Sequence, residues 1–354
     1  MGIYDSELWI SDLDEVIISS PVIQELAGKR VLITGCTGLV CSALVDVLIR
    51  WNETHIDNIQ ILAAGRSEMR IRQRFSPFDN RHWFHYIPYD AIGTERMDAE
   101  CDYIIHGAGN ASPNMIIRQP VETMIGNING LKILLDCVDK QHAERLLLIS
   151  SSEIYGIKEG VHSYQTDEYG YIDLLNPRSS YSMGKRAAET LCASYADEYG
   201  VDSVIVRPGH IYGPTATRSD NRVASFWAYT AAEGKDIVMK SEGSQIRSYC
   251  YCLDSAMAIL TVLLKGESVK AYNISNPDSV ISIRDMAMIL ANFAGVKLKM
   301  DLPTKSEIKG FNPMMNSTLN GSELMELGWR GIFDAERGFG HTVEIIKKAG
   351  QTLL

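Results

Sequence analysis

Short apolar runs alternate with helical stretches along much of this chain, and this alternation restricts the fold more than any other feature of the sequence. A buried strand is predicted over 29–34, followed at once by a glycine turn, a helical pattern and a second apolar run over 59–63. The pattern continues with strands over 83–87, 103–106, 146–150 and 203–207 and helices over 121–140 and 181–199. Buried strands that alternate with helices form a mainly parallel sheet covered on both faces. The sequence therefore predicts an α/β protein with a doubly wound parallel sheet.

The chain changes character after Arg207, where loops rich in Gly, Pro, Asn and Arg separate shorter helices. This change predicts a sheet domain over 29–207 and a smaller, interleaved α+β substrate lobe over 208–350, with about 236–265 returning to the sheet domain. Residues 1–28 are predicted to be an acidic N-terminal extension with a helix over 12–27.

Composition excludes several classes of partner. With 354 residues and 45% hydrophobic residues the chain can bury a large core, and its net charge of -10 offers no basic face to nucleic acid or anionic lipid. No apolar run reaches membrane-spanning length, and the start lacks the positive region of a signal peptide, so a cytoplasmic location is expected. Seven cysteines spread through regular elements indicate reduced thiols, and the isolated pair Cys250 and Cys252 does not predict a metal site.

The first glycine turn, Thr34-Gly35-Cys36-Thr37-Gly38, stands between a strand and a helix. Glycines at such a turn let backbone N–H groups approach a pyrophosphate at the helix N-terminus. A plain strand-to-helix turn is the alternative. Because this turn opens the first βαβ unit, it favours a Rossmann-type site for NAD or NADP.

The end of the second strand bears on the choice between these cofactors. NAD-binding folds usually place a carboxylate there for the ribose 2′-hydroxyl, but this chain has Gly65, Arg66, Ser67 and, further on, Arg70. These side chains suit a 2′-phosphate and favour NADP slightly. An ordinary basic helix start is the alternative.

A tyrosine and a lysine, Tyr181 and Lys185, lie one helical turn apart in a predicted helix. A nearby ammonium lowers the pKa of a phenol, so that the tyrosinate can take a proton from a hydroxyl while hydride leaves the same carbon. Such a pair alone is usually a helix surface. The run Ser150-Ser151-Ser152-Glu153 strengthens the interpretation, because it places hydroxyls and a carboxylate at the carboxyl end of a parallel strand, where α/β proteins bind ligands.

Over roughly 29–330 these motifs together resemble the extended short-chain dehydrogenases/reductases of the nucleotide-sugar epimerase/dehydratase group. The serine-glutamate run resembles that of UDP-glucuronate decarboxylases and GDP-mannose 4,6-dehydratases, and the motifs at 176–181, 207–214, 220–223 and 243–249 follow the decarboxylase pattern. The resemblance implies transient oxidation of a nucleotide sugar at C4, with the lobe over 208–350 binding the nucleotide sugar. It implies Tyr181 as the redox base and Lys185 as its activator, with Ser151 or Ser152 donating to the C4 oxygen.

The resemblance also implies a set of binding residues. Those expected at the cofactor, besides Tyr181 and Lys185, are Gly35, Thr37, Gly38, Leu39, Val40, Arg66, Ser67, Asp90, Ala91, His106, Gly107, Ala108, Asn127, Ser150 and Arg207. Those expected at the substrate are Ser112, Asn114, Arg178, His210, Arg222, Val223 and Arg247. Arginine forks suit the diphosphate and sugar better than lysines.

Three positions depart from the family pattern. Cys41 stands where relatives have the third glycine, His210 stands where they have asparagine, and a phosphate-binding arginine is missing near 312–318. The last two changes affect the nucleotide-sugar pocket.

The reaction stays open at this point. Glu153 as a base at C5 favours 4,6-dehydration or epimerisation, whereas Glu153 as an acid beside Arg247 favours decarboxylation. A reductase that consumes NADPH, suggested by Arg66 and Ser67, and a non-catalytic nucleotide-binding protein, suggested by Cys41 and Asn316, are the other candidates. The resemblance also implies a homodimer in which the helices near 121–140 and 181–199 form a four-helix bundle.

Overall fold

The computed structural model describes residues 2–93, 95–160, 163–301 and 316–350. Its main sheet has seven strands in the order β3-β2-β1-β4-β5-β6-β10, and every pair of neighbours is parallel. The strands of this sheet are β1 (Arg30–Thr34), β2 (Gln60–Gly65), β3 (Phe84–Pro88), β4 (Tyr103–His106), β5 (Arg145–Ile149), β6 (Ser203–Pro208) and β10 (Ala271–Ile274). The predicted doubly wound parallel sheet is confirmed.

The apolar runs form central strands because both faces of the sheet are buried. Along β5, Leu147 and Ile149 belong to one apolar core, whereas Leu146 and Leu148 belong to the core on the opposite face. Successive side chains of a strand point to opposite faces, so a strand covered on both sides needs a continuous apolar run.

Helices cover both faces of the sheet. On the face of the first core α2 packs against α8, and on the other face α5 packs against α6. The helices of the described chain are α1 (Glu7–Ser19), α2 (Leu39–Thr54), α3 (Glu68–Phe75), α4 (Pro113–Arg118), α5 (Pro120–Gln141), α6 (Ser179–Tyr199), α7 (Val223–Ala232), α8 (Cys252–Lys265), α9 (Ile283–Ala294), α10 (Ser322–Glu326) and α11 (Ala335–Gly350). None of these helices is long and apolar enough to cross a membrane.

Two small sheets lie in the later part of the chain. In one, β9 pairs with β7, β11 and β13, and in the other β8 pairs with β12. These strands are β7 (His210–Tyr212), β8 (Ile237–Met239), β9 (Ile246–Tyr251), β11 (Val280–Ser282), β12 (Leu298–Met300) and β13 (Asn316–Ser317). The chain returns to the main sheet through α8, which packs on α2, and through β10, which pairs with β6.

The N-terminal helix differs from its predicted bounds of 12–27. Helix α1 begins at Glu7, where the hydroxyl of Ser6 accepts a hydrogen bond from the backbone N–H of Trp9, and it ends at Ser19. Pro21 then starts a separate 3₁₀ turn, because a proline cannot donate the backbone hydrogen bond that a continuing helix requires. The sequence prediction missed this serine cap and gave too little weight to the proline.

Helix α1 is nevertheless part of the first core. Trp9 is completely buried, and the carboxylate of Asp12 accepts hydrogen bonds from the hydroxyl of Tyr251 at 3.0 Å and from Nδ1 of His341 at 2.9 Å. The extension thus ties the end of β9 and helix α11 to helix α2 of the sheet domain.

This packing has a measurable consequence for stability. We expect Trp9→Ala to lower the free energy of unfolding by about 3–5 kcal/mol, because it leaves a cavity in the core. Ile18→Ala, on the same helix but with the side chain 82% exposed, should change it by less than about 0.5 kcal/mol. Urea unfolding measures both, and equal effects of the two substitutions would show that α1 does not belong to the cooperative unit.

Candidate active site

A cleft of about 1850 Å³ lies at the carboxyl ends of the central strands. It runs from the turn after β1, past the ends of β2, β4 and β5 and the start of α6, to α7 and β9. The strand order reverses between β1 and β4, and open α/β sheets bind ligands in the crevice outside this point. Most of the residues predicted to form the site line this one cleft.

The turns after β1 and β4 approach each other so closely that side chains are excluded. Gly35 has a φ of 71°, and a Cβ there would lie 2.7 Å from the carbonyl carbon of Gly107. A Cβ on Gly107 would lie 2.3 Å from Sγ of Cys41, so the thiol that replaces the third glycine fills the last space against this turn. Burial raises the pKa of Cys41 to about 12, which keeps it a neutral thiol that acts by packing.

The first turn of α2 faces the cleft. No side chain caps this helix at Gly38, and Gly38, Leu39 and Val40 line the cleft together with Thr37. Backbone N–H groups at a helix start bind phosphate. The close glycine contact and the uncapped helix start therefore suit the pyrophosphate of a dinucleotide, and Cys41 does not obstruct it.

A hydrogen-bonded pair behind the turn holds it in place. Oγ1 of Thr34 accepts from the backbone N–H groups of Gly107 and Ala108 at 3.2 Å each and lies 2.8 Å from Nδ1 of His106. Burial lowers the pKa of His106 to about 3, so its ring is neutral. Because Oγ1 of Thr34 accepts from both N–H groups, its own O–H donates the hydrogen bond to Nδ1 of His106. His106 itself is buried and is not among the residues that line the cleft.

The far end of the cleft contains the residues predicted to distinguish NAD from NADP. Arg66 is exposed, Ser67 caps α3 by accepting from the N–H of Arg70 at 3.3 Å, and all three line the cleft. Asp90 and Ala91 line the same end, after β3.

Tyr181 lies in the middle of the cleft, in the first turn of α6, and is only 8% exposed. Burial raises its pKa to about 12, while a hydrogen bond with the side chain of Ser151 and the charges of Arg222 and Arg178 lower it. The charge of Glu153 raises it further. The phenol therefore lies beside a hydroxyl group from the end of β5, but it ionises less readily than free tyrosine.

Lys185 differs from its expected role in this arrangement. Its ammonium donates a 2.7 Å hydrogen bond to the carbonyl oxygen of Ile149, at the end of β5, and the pKa of Tyr181 is not lowered as the sequence argument expected. The reason is burial: a buried ammonium must find an acceptor, and burial lowers the pKa of Lys185 to about 8. Only a change in the direction of this side chain would bring its charge to the phenol.

Glu153 is held by Arg178 and not by Arg247. Nη1 and Nη2 of Arg178 donate to the two carboxylate oxygens of Glu153 at 3.0 Å each, and both residues line the cleft. One alternative from the sequence placed Glu153 beside Arg247. The sequence carries no signal that the start of α6 lies over the 3₁₀ turn after β5. Ser152 lines the cleft between Ser151 and Glu153.

The other end of the cleft is rich in cations. Arg222 donates to both oxygens of Asp220, Arg247 is 3% exposed and donates to the carbonyl oxygen of Ile246 at 2.8 Å, and His210 lies beside them. Burial and the two arginines lower the pKa of His210 to about 3, and its Nδ1 has no hydrogen-bond partner in the described part of the chain. Val223 and Ser112 also line the cleft.

Three further predicted residues do not line the cleft in the structure. Asn114 is exposed on α4, and Asn127 is buried between α5 and α6, where it donates to the carbonyl oxygen of Thr123 at 2.7 Å. Arg207 is buried in an ion pair with Glu189 at 2.6 Å, and Glu189 also accepts from the hydroxyl of Ser150 at 2.5 Å. Arg207 is thus connected to the cleft only through Glu189 and Ser150. Of these two residues, Ser150 lines the cleft.

Several cleft residues were not predicted. Phe226, Trp227, Lys240 and Gln245 line the part of the cleft formed by α7 and the loops around β8. Gln245 belongs to the motif at 243–249, whereas no sequence signal identifies the other three, because each depends on how the later part of the chain folds back over the sheet. The sequence lacks the family's phosphate-binding arginine near 312–318. Of these positions, 312–315 lie outside the described residues. Among the described residues no group of His, Cys, Asp and Glu side chains could hold a metal ion.

The buried amine of Lys185 has a predictable effect on stability. Its pKa is 10.5 in the unfolded chain and about 8 in the folded chain, so the unfolded state binds more protons between these values and stability rises with pH there. Below pH 8 the full cost of charging the buried amine, at most about 3 kcal/mol, is present. Replacing Lys185 would remove this charging cost but also its hydrogen bond to Ile149, and the lost hydrogen bond offsets about 1 kcal/mol of the gain.

We therefore expect Lys185→Met to be more stable than the wild type by about 1–2 kcal/mol at pH 7 and to lose this advantage above pH 10. Lys132→Met is the control, because the Lys132 side chain is 56% exposed, and it should change stability by less than about 0.5 kcal/mol. Urea unfolding at both pH values measures the difference. A Lys185→Met protein that is equally destabilised at pH 7 and pH 10 would contradict this account.

Comparison with known proteins agrees with this geometry. Arabidopsis thaliana UDP-glucuronic acid decarboxylase 6 is 32% identical over 319 residues, which cover 86% of this chain and 90% of that protein. Xenopus tropicalis UDP-glucuronic acid decarboxylase 1 is 29% identical over 329 residues, which cover 90% of this chain and 72% of that protein. The fold matches Thermotoga maritima UDP-glucose 4-epimerase with a TM-score of 0.76 at 21% identity, over 92% of this chain and 100% of that one.

A family model matches residues 31–275, which include the glycine turn, the serine-glutamate run and the Tyr181–Lys185 pair. The predicted family and the predicted NAD(P)-dependent enzyme are thereby confirmed. This chain belongs to the NAD dependent epimerase/dehydratase family.

Proposed function

We propose that this enzyme modifies a nucleotide-activated sugar through transient oxidation at C4, and that the reaction is the decarboxylation of a nucleotide-linked uronic acid. The observation that carries the proposal is that Tyr181 and Ser151, at the carboxyl end of β5, line the same cleft as the glycine turn. The decarboxylases among the relatives support the choice of a uronic acid.

The residues divide the first step between them. Ser151 holds the C4 oxygen, and Tyr181 removes the C4 hydroxyl proton. A dinucleotide held by the glycine turn and the first turn of α2 would supply a nicotinamide as the acceptor and donor of this hydride. Because the pKa of Tyr181 is about 12 in the structure, we infer that the ammonium of Lys185 leaves the carbonyl oxygen of Ile149 and turns towards the phenol before proton transfer.

The chemistry of the oxidised sugar accounts for the second step. With a ketone at C4, a carboxylate at C6 belongs to a β-keto acid, so the electron pair of the C5–C6 bond can pass into an enolate as carbon dioxide leaves. A proton from solvent then reaches C5, and hydride returned to C4 together with the proton held by Tyr181 restores the C4 hydroxyl. Arg178, whose charge acts on Tyr181, supplies a guanidinium for an acid group of the sugar, and Glu153 is its partner in the structure.

A specific observation favours 4,6-dehydration as the second candidate. Glu153 lines the same cleft as Ser151 and Tyr181, which offers a carboxylate as a base for the proton on the carbon next to C4. A neutral sugar with a hydroxyl at C6 would then lose water.

The choice of cofactor and the oligomeric state are part of the proposal. Arg66, Ser67 and Arg70 at the adenosine end of the cleft support NADP over NAD, and consumption of NADPH by a reductase remains the alternative reaction. Val121, Met124 and Ile125 expose apolar side chains on α5, which supports a homodimer through α5 and α6. The homodimer stays a prediction.

The proposal is tested by incubating the enzyme and NAD or NADP with UDP-glucuronate and determining the mass of the product. We expect loss of carbon dioxide, and we expect Tyr181→Phe to lower turnover by about 10²–10⁴-fold with the fold retained. Tyr199→Phe, on the same helix with the side chain 53% exposed, is the matched control and should turn over like the wild type. An unchanged mass with the wild type, or full activity of Tyr181→Phe, would refute the proposal.

A further inference from the structure

The ion pair between Arg178 and Glu153 is placed where the reacting sugar must lie. Arg178 comes one turn before Tyr181 at the start of α6, and Glu153 comes shortly after Ser151 at the end of β5. The charges of both act on the phenol of Tyr181. The C6 group of a hexose is attached to C5, next to C4, so a sugar whose C4 hydroxyl meets Tyr181 and whose C5 side faces the start of α6 brings its C6 group to this pair.

Arg178 already holds a carboxylate in the geometry that a planar guanidinium prefers. Its two terminal nitrogens each donate to one oxygen of Glu153 at 3.0 Å. A uronic acid carries the same chemical group, and it can take the same two bonds once Glu153 has left. The side chain of Glu153 thus occupies a site that fits the acid of the substrate.

This pair can exchange partners more easily than the other arginine pair near Tyr181. The side chains of Arg178 and Glu153 are 44% and 31% exposed, and an ion pair this exposed contributes little net stability. In contrast, the carboxylate that holds Arg222 belongs to Asp220, which is 7% exposed and also accepts from Ser225 at 3.1 Å. Asp220 is therefore fixed, whereas Glu153 has room to leave its partner.

We propose that Arg178 is a specificity-determining carboxylate clamp that exchanges Glu153 for the C6 acid group of a uronic sugar when the substrate binds. The clamp selects acidic sugars over neutral ones. Each binding event also releases Glu153 into the cleft beside the reacting carbons. This inference rests on the proposed function, because it assumes that the sugar is bound with C4 at Tyr181.

If this exchange occurs, substitutions of Arg178 and of Glu153 should change the affinity for UDP-glucuronate in opposite directions. In a Tyr181→Phe background, which prevents turnover, calorimetry measures the affinity for UDP-glucuronate and for UDP-glucose, which lacks the acid. Arg178→Gln should weaken UDP-glucuronate binding by about 10-fold or more and leave UDP-glucose binding within about twofold. Glu153→Gln should tighten UDP-glucuronate binding several-fold, because it removes the competing carboxylate, and should again leave UDP-glucose unaffected.

Two further variants separate the clamp from a general loss of structure. Arg178→Lys keeps the positive charge but not the two parallel N–H donors of the guanidinium. It should therefore retain part of the preference for the acidic ligand. Arg218→Lys alters an ion pair with Glu233 of similar exposure, 52% and 33%, that does not line the cleft, and it should change neither affinity.

The clamp is refuted if Arg178→Gln weakens both ligands equally, or if Glu153→Gln leaves UDP-glucuronate affinity unchanged. The first result would assign Arg178 a structural role. If neither ligand binds the Tyr181→Phe protein, the proposed function itself is wrong and the clamp is rejected with it, whereas binding of both ligands without discrimination rejects the clamp alone.

Discussion

The close approach of the turns after β1 and β4 is the constraint on which the rest of this structure depends. Gly35 and Gly107 meet with no room for a side chain, and Cys41 closes the remaining space. The contact fixes the first turn of α2 beside the end of β4, at the point where the strand order reverses. The cleft beside this contact extends to the end of β5, where Ser151, Glu153 and Tyr181 lie.

Burial sets the protonation of the groups around this contact. It raises the pKa of Tyr181 and lowers that of Lys185, so both charged forms are disfavoured in the arrangement that the structure shows. We propose that the two groups depend on each other, and that the phenol becomes an effective base when the lysine charge turns to it. The stability cost of such a lysine is the expected consequence of placing a functional group in a core.

Much of the fold could be predicted from the sequence, because a continuous apolar run of strand length fits little besides a strand that is buried on both faces. The strands from β1 to β6 lie where their apolar runs predict them, within a residue or two at each end. The N-terminal helix was misplaced because its ends are set by Ser6 and Pro21, two local signals that the apolar pattern does not contain.

The site was predicted less completely than the fold. Motifs identify residues that are close in sequence, such as Ser151 and Glu153 or Tyr181 and Lys185, but they do not identify partners across the fold. The pair of Glu153 with Arg178 joins residues 25 positions apart, and the burial of Arg207 with Glu189 depends on how α6 packs on β6. The direction of the Lys185 ammonium depends on a backbone carbonyl, for which a sequence gives no signal.

The central claim is an internal redox cycle at one sugar carbon, and the most direct measurement follows the hydrogen on that carbon. UDP-glucuronate carrying deuterium at C4 is converted with a cofactor present in far smaller amount than the sugar. The account predicts that the product retains deuterium at C4 and that no net reduced cofactor accumulates. Loss of the deuterium from the product, or conversion that stops when the cofactor has been used once, would contradict it.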